Sequence, residues 1–384
     1  MSRRVCVLVT ARPSYSRIKS ALTGIANHPE LKLQLVVGAS ALLERYGHAI
    51  ESLEQDGFEI ARRVYMVLEG ENLVTSAKST GLGLVELATV FDDLQPDVVV
   101  TVADRYETLA TAVAASYMNI PVAHVQGGEV TGSIDEKVRH AVTKLSDIHF
   151  VATNRARERV IKLGEDPERV VCTGCPSIDL AAAVLAEEGV PFDPVHKYGG
   201  VGQHVDLSSG FLIVLQHPVT TEHTEARRQV DETLHAIHAL DLPTLWFWPN
   251  VDAGSEGTSK GIRIFREKHA DARLHVFRNM LPEDFLRLML QCSCIVGNSS
   301  VAIREASFLG VPAVNIGTRQ RGRERGSNVI DVDYDCDSIR RAIETHLARG
   351  RAERDTLYGD GHAGERIANH LATKKLCIDK QLTY

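Results

Sequence analysis

Short apolar runs that alternate with amphipathic helical patterns are the feature that most constrains the fold of this chain. In the first half, strand-like runs at residues 5–9, 31–37 and 98–103 are separated by segments with helical periodicity. Apolar runs of this length between helices are typical of parallel strands joined by crossover helices. The alternation restarts at residues 211–215 and continues to 328–332. The sequence therefore predicts an α/β protein with two doubly wound parallel sheets.

The length of the chain predicts two domains. At 384 residues it exceeds the size at which a single hydrophobic core usually stops growing. Residues 189–210 contain Pro191, Pro194 and five glycines, which is typical of a linker with a flexible loop. We expect an N-terminal domain over residues 1–175, a linker over 176–210, a nucleotide-binding domain over 211–362, and a C-terminal helix over 363–384 that packs back on the first domain.

Composition argues against several classes of function. The net charge of -7 gives no general attraction to nucleic acid or to acidic membrane surfaces. No apolar stretch approaches the ~20 residues of a membrane helix, and the first apolar run is too short for a signal peptide. The seven cysteines are an odd number, and Cys6 lies within the first strand pattern. We therefore expect a cytoplasmic protein with reduced cysteines.

A glycine-rich stretch follows the apolar run 120–125 and leads into a helical pattern that begins near residue 134. Open α/β sheets hold ligands at the carboxyl ends of their strands, which makes this stretch a candidate for half of an active site. Gly127, Gly128 and Gly132 permit positive φ or a close approach to a ligand. The stretch also carries candidate acids, bases and charges at Glu129, Asp135, Glu136, Arg139 and His140. A surface loop followed by a capped helix is the alternative.

Arg12 follows the first strand pattern and is placed to hold a phosphate at the carboxyl edge of the sheet. Ser14 and Ser16 are candidate caps for a helix that begins at Arg17, and Pro13 fits an early turn position. A capped helix with an exposed arginine fits these residues equally well.

Asp104 and Arg105 follow the run at 98–103, where the next helical pattern begins. This position can put a carboxylate and a guanidinium over the same crevice as Glu129. A helix cap with a surface ion pair is the alternative interpretation.

The second half contains a Gly-Asn-Ser-Ser sequence at residues 297–300, directly before a predicted helix at 301–309. Hydroxyls and unpaired backbone N–H groups at a helix N-terminus favour an anion such as a diphosphate. The arginine-rich segment 317–325 follows a later strand and can clamp phosphate oxygens. A plain helix cap remains an alternative for the first segment, and a solvated basic loop remains one for Arg321 and Arg325.

Three cofactor patterns are incomplete. Cys172 and Cys175 have the spacing of metal ligands, but Cys292 and Cys294 do not supply a matching pair. Residues 331–337 alternate carboxylates, but Cys336 occupies the glycine position of a calcium loop. Residues 80–86 lack the third glycine of a dinucleotide fingerprint. We therefore predict that the protein uses no metal, NAD or other cofactor.

Taken in order, the motifs resemble those of the hydrolysing UDP-N-acetylglucosamine 2-epimerases of sialic-acid and related nonulosonic-acid biosynthesis, including the epimerase half of the bifunctional animal enzyme. The resemblance covers nearly the whole chain. The matching motifs are Arg12 with Tyr15 and Ser16, and residues 46–47, 54–56, 104–105, 127–135, 139–145, 174–177, 216–221, 249–255, 297–300, 304–305, 315–320 and 358–361.

The resemblance implies two Rossmann-like domains that face a cleft holding the nucleotide sugar, as in the glycosyltransferase-B fold, and a homodimer or homotetramer. It implies elimination of UDP to a 2-acetamidoglucal, then addition of water to give free N-acetylmannosamine. The residues similar to the family's catalytic acids are Asp104 and Asp135. The implied UDP contacts are Arg12, Ser16, Arg105, His217, Asn250, Ser299, Ser300, Glu305 and Arg319.

Gln126 is the main departure from the family pattern, which has a glutamate at this position. An amide cannot accept the proton, so we expect Asp135 or Glu129 to act as the base, with Asp104 or His217 as the next candidates. Gln126 would then only hydrogen-bond the sugar or its acetamide. Further departures near the expected ligand are Pro13 with Ser14, and Ala302.

Three functions stay open. The first is hydrolytic epimerisation of UDP-N-acetylglucosamine or of a 4-modified relative, such as the diacetylated bacillosamine derivative. The second keeps the site but changes the reaction to non-hydrolysing epimerisation, nucleotide-sugar hydrolysis or glycosyl transfer. The third is a nucleotide-sugar-binding protein that has lost catalysis with the glutamate. The carboxylates of Asp104, Glu129 and Asp135, kept together with His217, argue against a mere binder.

Overall fold

A computed structural model describes residues 2–43, 49–69, 73–131, 134–187, 192–249 and 254–384. The chain divides into two compact units, each built on a seven-stranded sheet. The first unit comprises Met1–Glu129, Ile134–Leu180 and Tyr358–Tyr384, and the second comprises Val130–Ser133 and Ala181–Leu357.

The sheet of the first unit is entirely parallel. Its strands are β1 (Arg3–Val9), β2 (Leu31–Gly38), β3 (Ile60–Val64), β4 (Val98–Val102), β5 (Val122–Val125), β6 (Ile148–Val151) and β7 (Val170–Cys172). Their order is β3-β2-β1-β4-β5-β6-β7, so the direction of winding reverses between β1 and β4. Ligands of open α/β sheets bind beside such a reversal.

Helices join the parallel strands of this unit. They are α1 (Arg12–Ser16), α2 (Lys19–Asn27), α3 (Ala49–Gln55), α4 (Leu73–Leu94), α5 (Tyr106–Tyr117), α6 (Asp135–Leu145), α7 (Asn154–Lys162) and α8 (Pro176–Ala186). The final helix, α15 (Ala363–Thr373), packs against α2.

Alternate residues of β1 contribute to two different hydrophobic clusters. Val5, Val7 and Val9 belong to one cluster, whereas Cys6 and Leu8 belong to another. Side chains alternate between the faces of a strand, so an uninterrupted apolar run is buried on both sides when helices cover both faces.

The sheet of the second unit is parallel except at one edge. Its strands are β8 (Val201–Gly202), β9 (Leu212–Leu215), β10 (Thr244–Phe247), β11 (Leu274–Phe277), β12 (Cys294–Gly297), β13 (Ala313–Ile316) and β14 (Val329–Val332). The order is β14-β13-β12-β9-β10-β11-β8, with β8 antiparallel to β11. Here the winding reverses between β9 and β12.

The second unit contains six further helices among its described residues. They are α9 (Pro194–Tyr198), α10 (Ala226–Leu240), α11 (Ser255–Lys268), α12 (Pro282–Gln291), α13 (Glu305–Leu309) and α14 (Cys336–Arg349). Among the described helices, none combines the length and the apolar character that crossing a bilayer requires.

The prediction of two doubly wound parallel α/β sheets is confirmed. Several local predictions were wrong. The helix predicted from Arg17 is present as α2, but the short helix α1 before it was not predicted, and the segment interpreted as a flexible loop contains α9 and β8. Helices α11 and α14 were not anticipated. The amphipathic pattern of residues 39–55 predicts one helix, but the structure has a 3-10 turn at Ala39–Leu42 followed by α3, and residues 44–48 lie outside the described part.

Candidate functional site

The chain leaves strands β4 and β5 through residues with positive φ. Ala103 has φ 65° and Gln126 has φ 70°, and both follow directly after their strands. Such backbone conformations are uncommon for residues other than glycine and mark tightly determined turns, which recur at functional sites. Asp104 comes one residue after the first turn, and Glu129 comes three residues after the second. Both carboxylates are buried.

Arg139 gathers the polar groups at this edge of the first sheet. Its guanidinium forms a short ion pair with Asp104 and lies 2.5 Å from the Glu136 carboxylate. It also donates a 2.9 Å hydrogen bond to the backbone carbonyl of Glu129. The side chain is only 1% exposed, so two anions and a carbonyl compensate a buried charge. Arg139 therefore ties the end of β4 and the glycine-rich loop to α6.

Asp135 is the first residue of α6 and is half-buried. Arg139 lies four residues later, so both side chains project from the same side of the helix. The structure thus brings Asp104, Glu129 and Asp135 to one edge of one sheet. Arg139 was predicted from the sequence as a source of charge but not as a site residue. Its spacing of one helical turn from Asp135 was the signal that could have identified it.

Gln126 points toward the start of α8. Its side-chain amide donates a 2.9 Å hydrogen bond to Cys175 Sγ, and Cys175 Sγ lies 3.0 Å from Ser177 Oγ. Gln126 and Cys175 are both buried. Cys172, which shares metal-ligand spacing with Cys175, is exposed. The amide is thus engaged by a thiol in a buried environment.

The three sequence-predicted phosphate contacts of the first unit have different environments. Arg12 is the first residue of α1, and its side chain lies outside the described part of the structure. Ser16 Oγ donates to the Pro13 carbonyl at 3.1 Å. Arg105 lies 3.3 Å from the fully buried carboxylate of Glu107. Arg105 is therefore anchored by a neighbouring acid.

His217 and Asn298 join the two strands at the winding reversal of the second sheet. His217 follows β9, and its backbone N–H donates to Asn298 Oδ1 at 2.8 Å. Asn298 Nδ2 in turn donates to the His217 carbonyl at 2.8 Å. Gly297 has φ 130°, and a Cβ there would lie 2.1 Å from the Leu215 carbonyl oxygen, so only glycine allows this approach.

Arg319 is held beside the same strand end. Its guanidinium donates to the Asn298 carbonyl at 3.2 Å, and Gln320 Nε2 donates to the same oxygen at 2.9 Å. Thr318 also forms a short hydrogen bond with Glu222. These contacts fix the segment after β13 next to His217 and Asn298. Arg319 is half-buried, which leaves part of its side chain accessible to an anion.

The helix predicted after Ser299 and Ser300 is not continuous. A 3-10 turn covers Ser300–Ala302, and α13 begins only at Glu305, so that Ile303 and Arg304 separate the two. A macrodipole needs several aligned peptide units, so the predicted helix-terminal field is weaker than expected.

Positive charge is instead supplied by the buried side chain of Arg304, which donates to Ser300 Oγ at 3.0 Å. Glu305 is also buried, 3.7 Å from Arg304. Asn250, the remaining predicted contact, lies outside the described residues.

The described residues contain a group with the donor atoms for a metal, formed by His238, His269 and Asp271. Their ligand atoms lie within 4.8 Å of one another. His238 lies in the last turn of α10, which leads into β10, and Asp271 precedes β11. The group therefore lies at the amino ends of these strands, at the opposite edge of the sheet from His217 and Asn298.

Comparison with known proteins identifies a family. A family model described as UDP-N-acetylglucosamine 2-epimerase matches residues 23–372. The chain is 31% identical to a UDP-N,N'-diacetylbacillosamine 2-epimerase (hydrolyzing) of Legionella pneumophila, over 97% of this chain and 96% of that protein. It is 31% identical to polysialic acid biosynthesis protein P7 of Escherichia coli, over 89% of this chain and 85% of that protein. A UDP-N-acetylglucosamine 2-epimerase of Neisseria meningitidis is 29% identical, over 94% and 92% of the two chains.

Solved structures share the fold. The UDP-GlcNAc 2-epimerase of Neisseria meningitidis bound to UDP-GlcNAc has a TM-score of 0.78 and 17% identity, and the match covers 97% of this chain and 100% of that one. The Methanocaldococcus jannaschii UDP-GlcNAc 2-epimerase in complex with UDP-GlcNAc and UDP has the same TM-score at 19% identity, with the same coverage.

Proposed function

Since the chain belongs to the UDP-N-acetylglucosamine 2-epimerase family, we propose that it is a hydrolysing nucleotide-sugar 2-epimerase acting on UDP-N-acetylglucosamine or a 4-acetamido relative. The family is enzymatic, and relatives from Legionella pneumophila and Campylobacter jejuni are named as hydrolysing epimerases. The observation that carries the proposal is the set of carboxylates at the edge of the first sheet, where Arg139 holds Asp104 beside the start of α6 at Asp135.

The reaction proceeds in two balanced steps. A base removes the C2 proton as the C1–oxygen bond to UDP breaks, which leaves a 2-acetamidoglucal. A proton then returns to C2 from the opposite face while the oxygen of water bonds to C1, and this releases the free 2-epimer. Each step needs a proton donor or acceptor within hydrogen-bonding reach of the sugar, a role that carboxyl groups can fill.

The contacts of Asp104 and Asp135 indicate different roles for the two carboxylates in the reaction. Asp104 is bound by Arg139, which orients it and stabilises its negative charge. Asp135 projects from the first turn of α6 and is half-buried. We assign the role of base to Asp135, with Glu129 in the loop before α6 as the other candidate. Gln126 donates its amide to Cys175, so its part is to fix the loop rather than to move a proton.

The second unit offers groups suited to the diphosphate. Arg319 and Ser299 lie at the ends of β13 and β12, and His217 is fixed by Asn298 beside them. Guanidinium and hydroxyl donors of this kind bind phosphate oxygens through charge-assisted hydrogen bonds. We propose that UDP binds here through Ser299, Ser300 and Arg319.

NMR of the sugar product in heavy water tests this function. Incubation with UDP-N-acetylglucosamine, and separately with its 4-acetamido relative, should release a free 2-epimer that carries deuterium at C2. A non-hydrolysing epimerase would give a UDP-linked epimer. A hydrolase would release the unchanged sugar without deuterium, and a binder would release nothing. Any of these three results would overturn the proposal.

We also propose that the protein is a cytoplasmic homodimer or homotetramer, as the family resemblance implies. Sedimentation equilibrium of the full chain distinguishes these assemblies from a monomer of 42.2 kDa. A monomer at the concentrations used for the activity assay would contradict this assignment.

A further inference from the structure

His124 is a buried residue of β5 to which the proposed reaction assigns no step. Its side chain is 0% exposed, so it cannot touch a substrate in this structure. The imidazole nevertheless contacts segments that lead directly to the proposed acid–base groups. These contacts distinguish it from an ordinary core residue.

The first contact fixes the backbone before Asp104. His124 Nε2 lies 2.8 Å from the carbonyl oxygen of Ala103. A carbonyl can only accept, so Nε2 carries the hydrogen and donates it. Ala103 is the positive-φ residue at the end of β4, and its own N–H donates to the Val125 carbonyl at 2.9 Å. Both polar backbone groups of this strained residue are therefore bound by β5, and Asp104 follows at once.

The second contact reaches α6. Thr143 Oγ1 lies 3.4 Å from His124 Nδ1, and Thr143 is fully buried. Since Nε2 carries the hydrogen, Nδ1 of the neutral ring is the acceptor, and the threonine hydroxyl donates. Thr143 follows Arg139 by one helical turn and Asp135 by two. A single imidazole thus joins the strand end that carries Asp104 to the helix that carries Asp135 and Arg139.

The third contact is steric and involves the glycine-rich loop. A Cβ built on Gly127 would lie 3.1 Å from His124 Nδ1 and 3.3 Å from Thr143 Oγ1. The backbone between Gln126 and Glu129 therefore rests directly on the histidine–threonine contact. Any larger residue at position 127 would have to displace one of these polar partners.

The ring is neutral at physiological pH. Burial, the largest influence, lowers the pKa of His124 to about 4, although the hydrogen bond to the Ala103 carbonyl opposes that shift. A neutral ring has one donor and one acceptor, and here each has a partner of the opposite kind. This arrangement defines a single tautomer and a single ring orientation.

We propose that His124 is a positioning residue that sets the mutual placement of Asp104, the loop from Gln126 to Glu129, and the Asp135–Arg139 turn of α6. This inference rests on the proposed function, because those groups carry the proposed reaction. Misplacement of reacting groups by about 1 Å can cost roughly 100-fold in rate without loss of binding. The histidine therefore acts on turnover through geometry rather than through its charge.

Substitutions at His124 and Thr143 test the inference. His124→Leu removes both hydrogen bonds, whereas His124→Gln keeps an amide donor near the position of Nε2. We expect His124→Leu to lower kcat roughly 10- to 100-fold, with the UDP dissociation constant unchanged within a factor of two. His124→Gln should recover most of that loss. Thr143→Val removes the hydroxyl alone and should lower kcat less, while Thr143→Ser should match the wild type.

His346 supplies a matched control in the second unit. It is also buried, and its Nε2 lies 3.1 Å from a backbone carbonyl, that of Ala313. His346→Leu should lower the melting temperature as His124→Leu does but leave kcat unchanged. Equal kcat losses in these two leucine variants would show that His124 acts only as a core residue, and would overturn the inference. Wild-type kcat in both His124→Leu and Thr143→Val would do the same.

Hydrogen–deuterium exchange provides a test that does not depend on enzymatic activity. Peptides covering residues 101–108 and 126–131 should exchange faster in His124→Leu than in the wild type, and His124→Gln should restore their protection. Failure of the wild-type chain to release free sugar would contradict the proposed function. Unchanged exchange of these peptides in His124→Leu would contradict the positioning inference, whatever the result of the activity assay. Should His124→Leu fail to fold, the same comparison is made between Thr143→Val and Thr143→Ser.

Discussion

Asp104 and Asp135 differ in what surrounds their carboxylates. Asp104 is buried against Arg139, whereas Asp135 opens α6 and is half-buried. Asp135→Asn preserves the shape of the side chain but cannot accept a proton. We expect turnover to fall at least ~100-fold, the lower range for general acid–base catalysis, while UDP binding is kept. Normal turnover in both Asp135→Asn and Glu129→Gln would move the base to Asp104 or His217.

Arg319 offers a second test at the level of a single side chain. Its guanidinium lies at the Asn298 carbonyl, beside Ser299. Arg319→Ala should weaken UDP binding by roughly 1.5–3 kcal/mol, the range for a hydrogen bond to a charged group. Arg340→Ala is a suitable control, because Arg340 pairs with Asp337 and Glu344 on α14. Calorimetry that gives equal UDP affinity for both variants would place the diphosphate elsewhere.

The packing of α15 on α2 depends on two glycines that face each other. A Cβ on Gly364 would lie 2.4 Å from the Ser20 backbone carbon, and one on Gly24 would lie 3.0 Å from the Gly364 carbonyl oxygen. Gly364→Ala should therefore destabilise the protein by about 1–3 kcal/mol despite the better helix propensity of alanine. Gly81→Ala in α4 meets no atom within 4 Å and should stabilise it by about 0.5–1 kcal/mol. Urea unfolding of both variants checks the opposite signs.

Glu165 joins β6, α6 and the chain after α15. It accepts hydrogen bonds from His149, Lys144 and Lys380. Burial alone would raise the pKa of Glu165, but these three donors outweigh burial and lower it to about 2, below the ordinary value of 4.5. Between these pH values the unfolded chain binds the proton preferentially, so the stabilisation from Glu165 is complete above about pH 5 and is lost as the pH falls to about 2.

Glu165→Gln tests this pH dependence at the same junction. The unfolding free energy of the wild type should exceed that of Glu165→Gln by an amount that shrinks, on the order of 3 kcal/mol, between pH 5 and pH 2. Chemical denaturation at a series of pH values measures the difference. A difference of constant size across that range would show that the three donors do not stabilise the ionised carboxylate.

At the scale of the whole molecule, the proposed chemistry needs neither a metal nor a nicotinamide. We expect full activity after dialysis against a chelator and without added NAD. The cluster of His238, His269 and Asp271 gives this prediction a specific control, since His238→Gln should also leave activity unchanged. Activity that is lost on chelation and restored by a single divalent ion would refute the prediction.

The sequence alone determined the two parallel sheets of this protein. Apolar runs such as those that form β1 and β4 are buried on both faces of the sheet. The alternation of such runs with helical patterns is a local property, so it can be recognised from the sequence. It also singled out Asp104, Asp135 and Arg319, because polar residues at the carboxyl ends of parallel strands meet at one edge. His217 was implied by the family resemblance.

Only the tertiary structure decided which partner each of these residues has. The pairing of Asp104 with Arg139 joins residues 35 positions apart, and the exchange of hydrogen bonds between His217 and Asn298 joins residues 81 positions apart. Such contacts depend on strand order, which places β4 next to β5 and β9 next to β12. The short antiparallel strand β8 likewise depends on its pairing with β11, more than 70 positions away along the chain, which local propensity does not register.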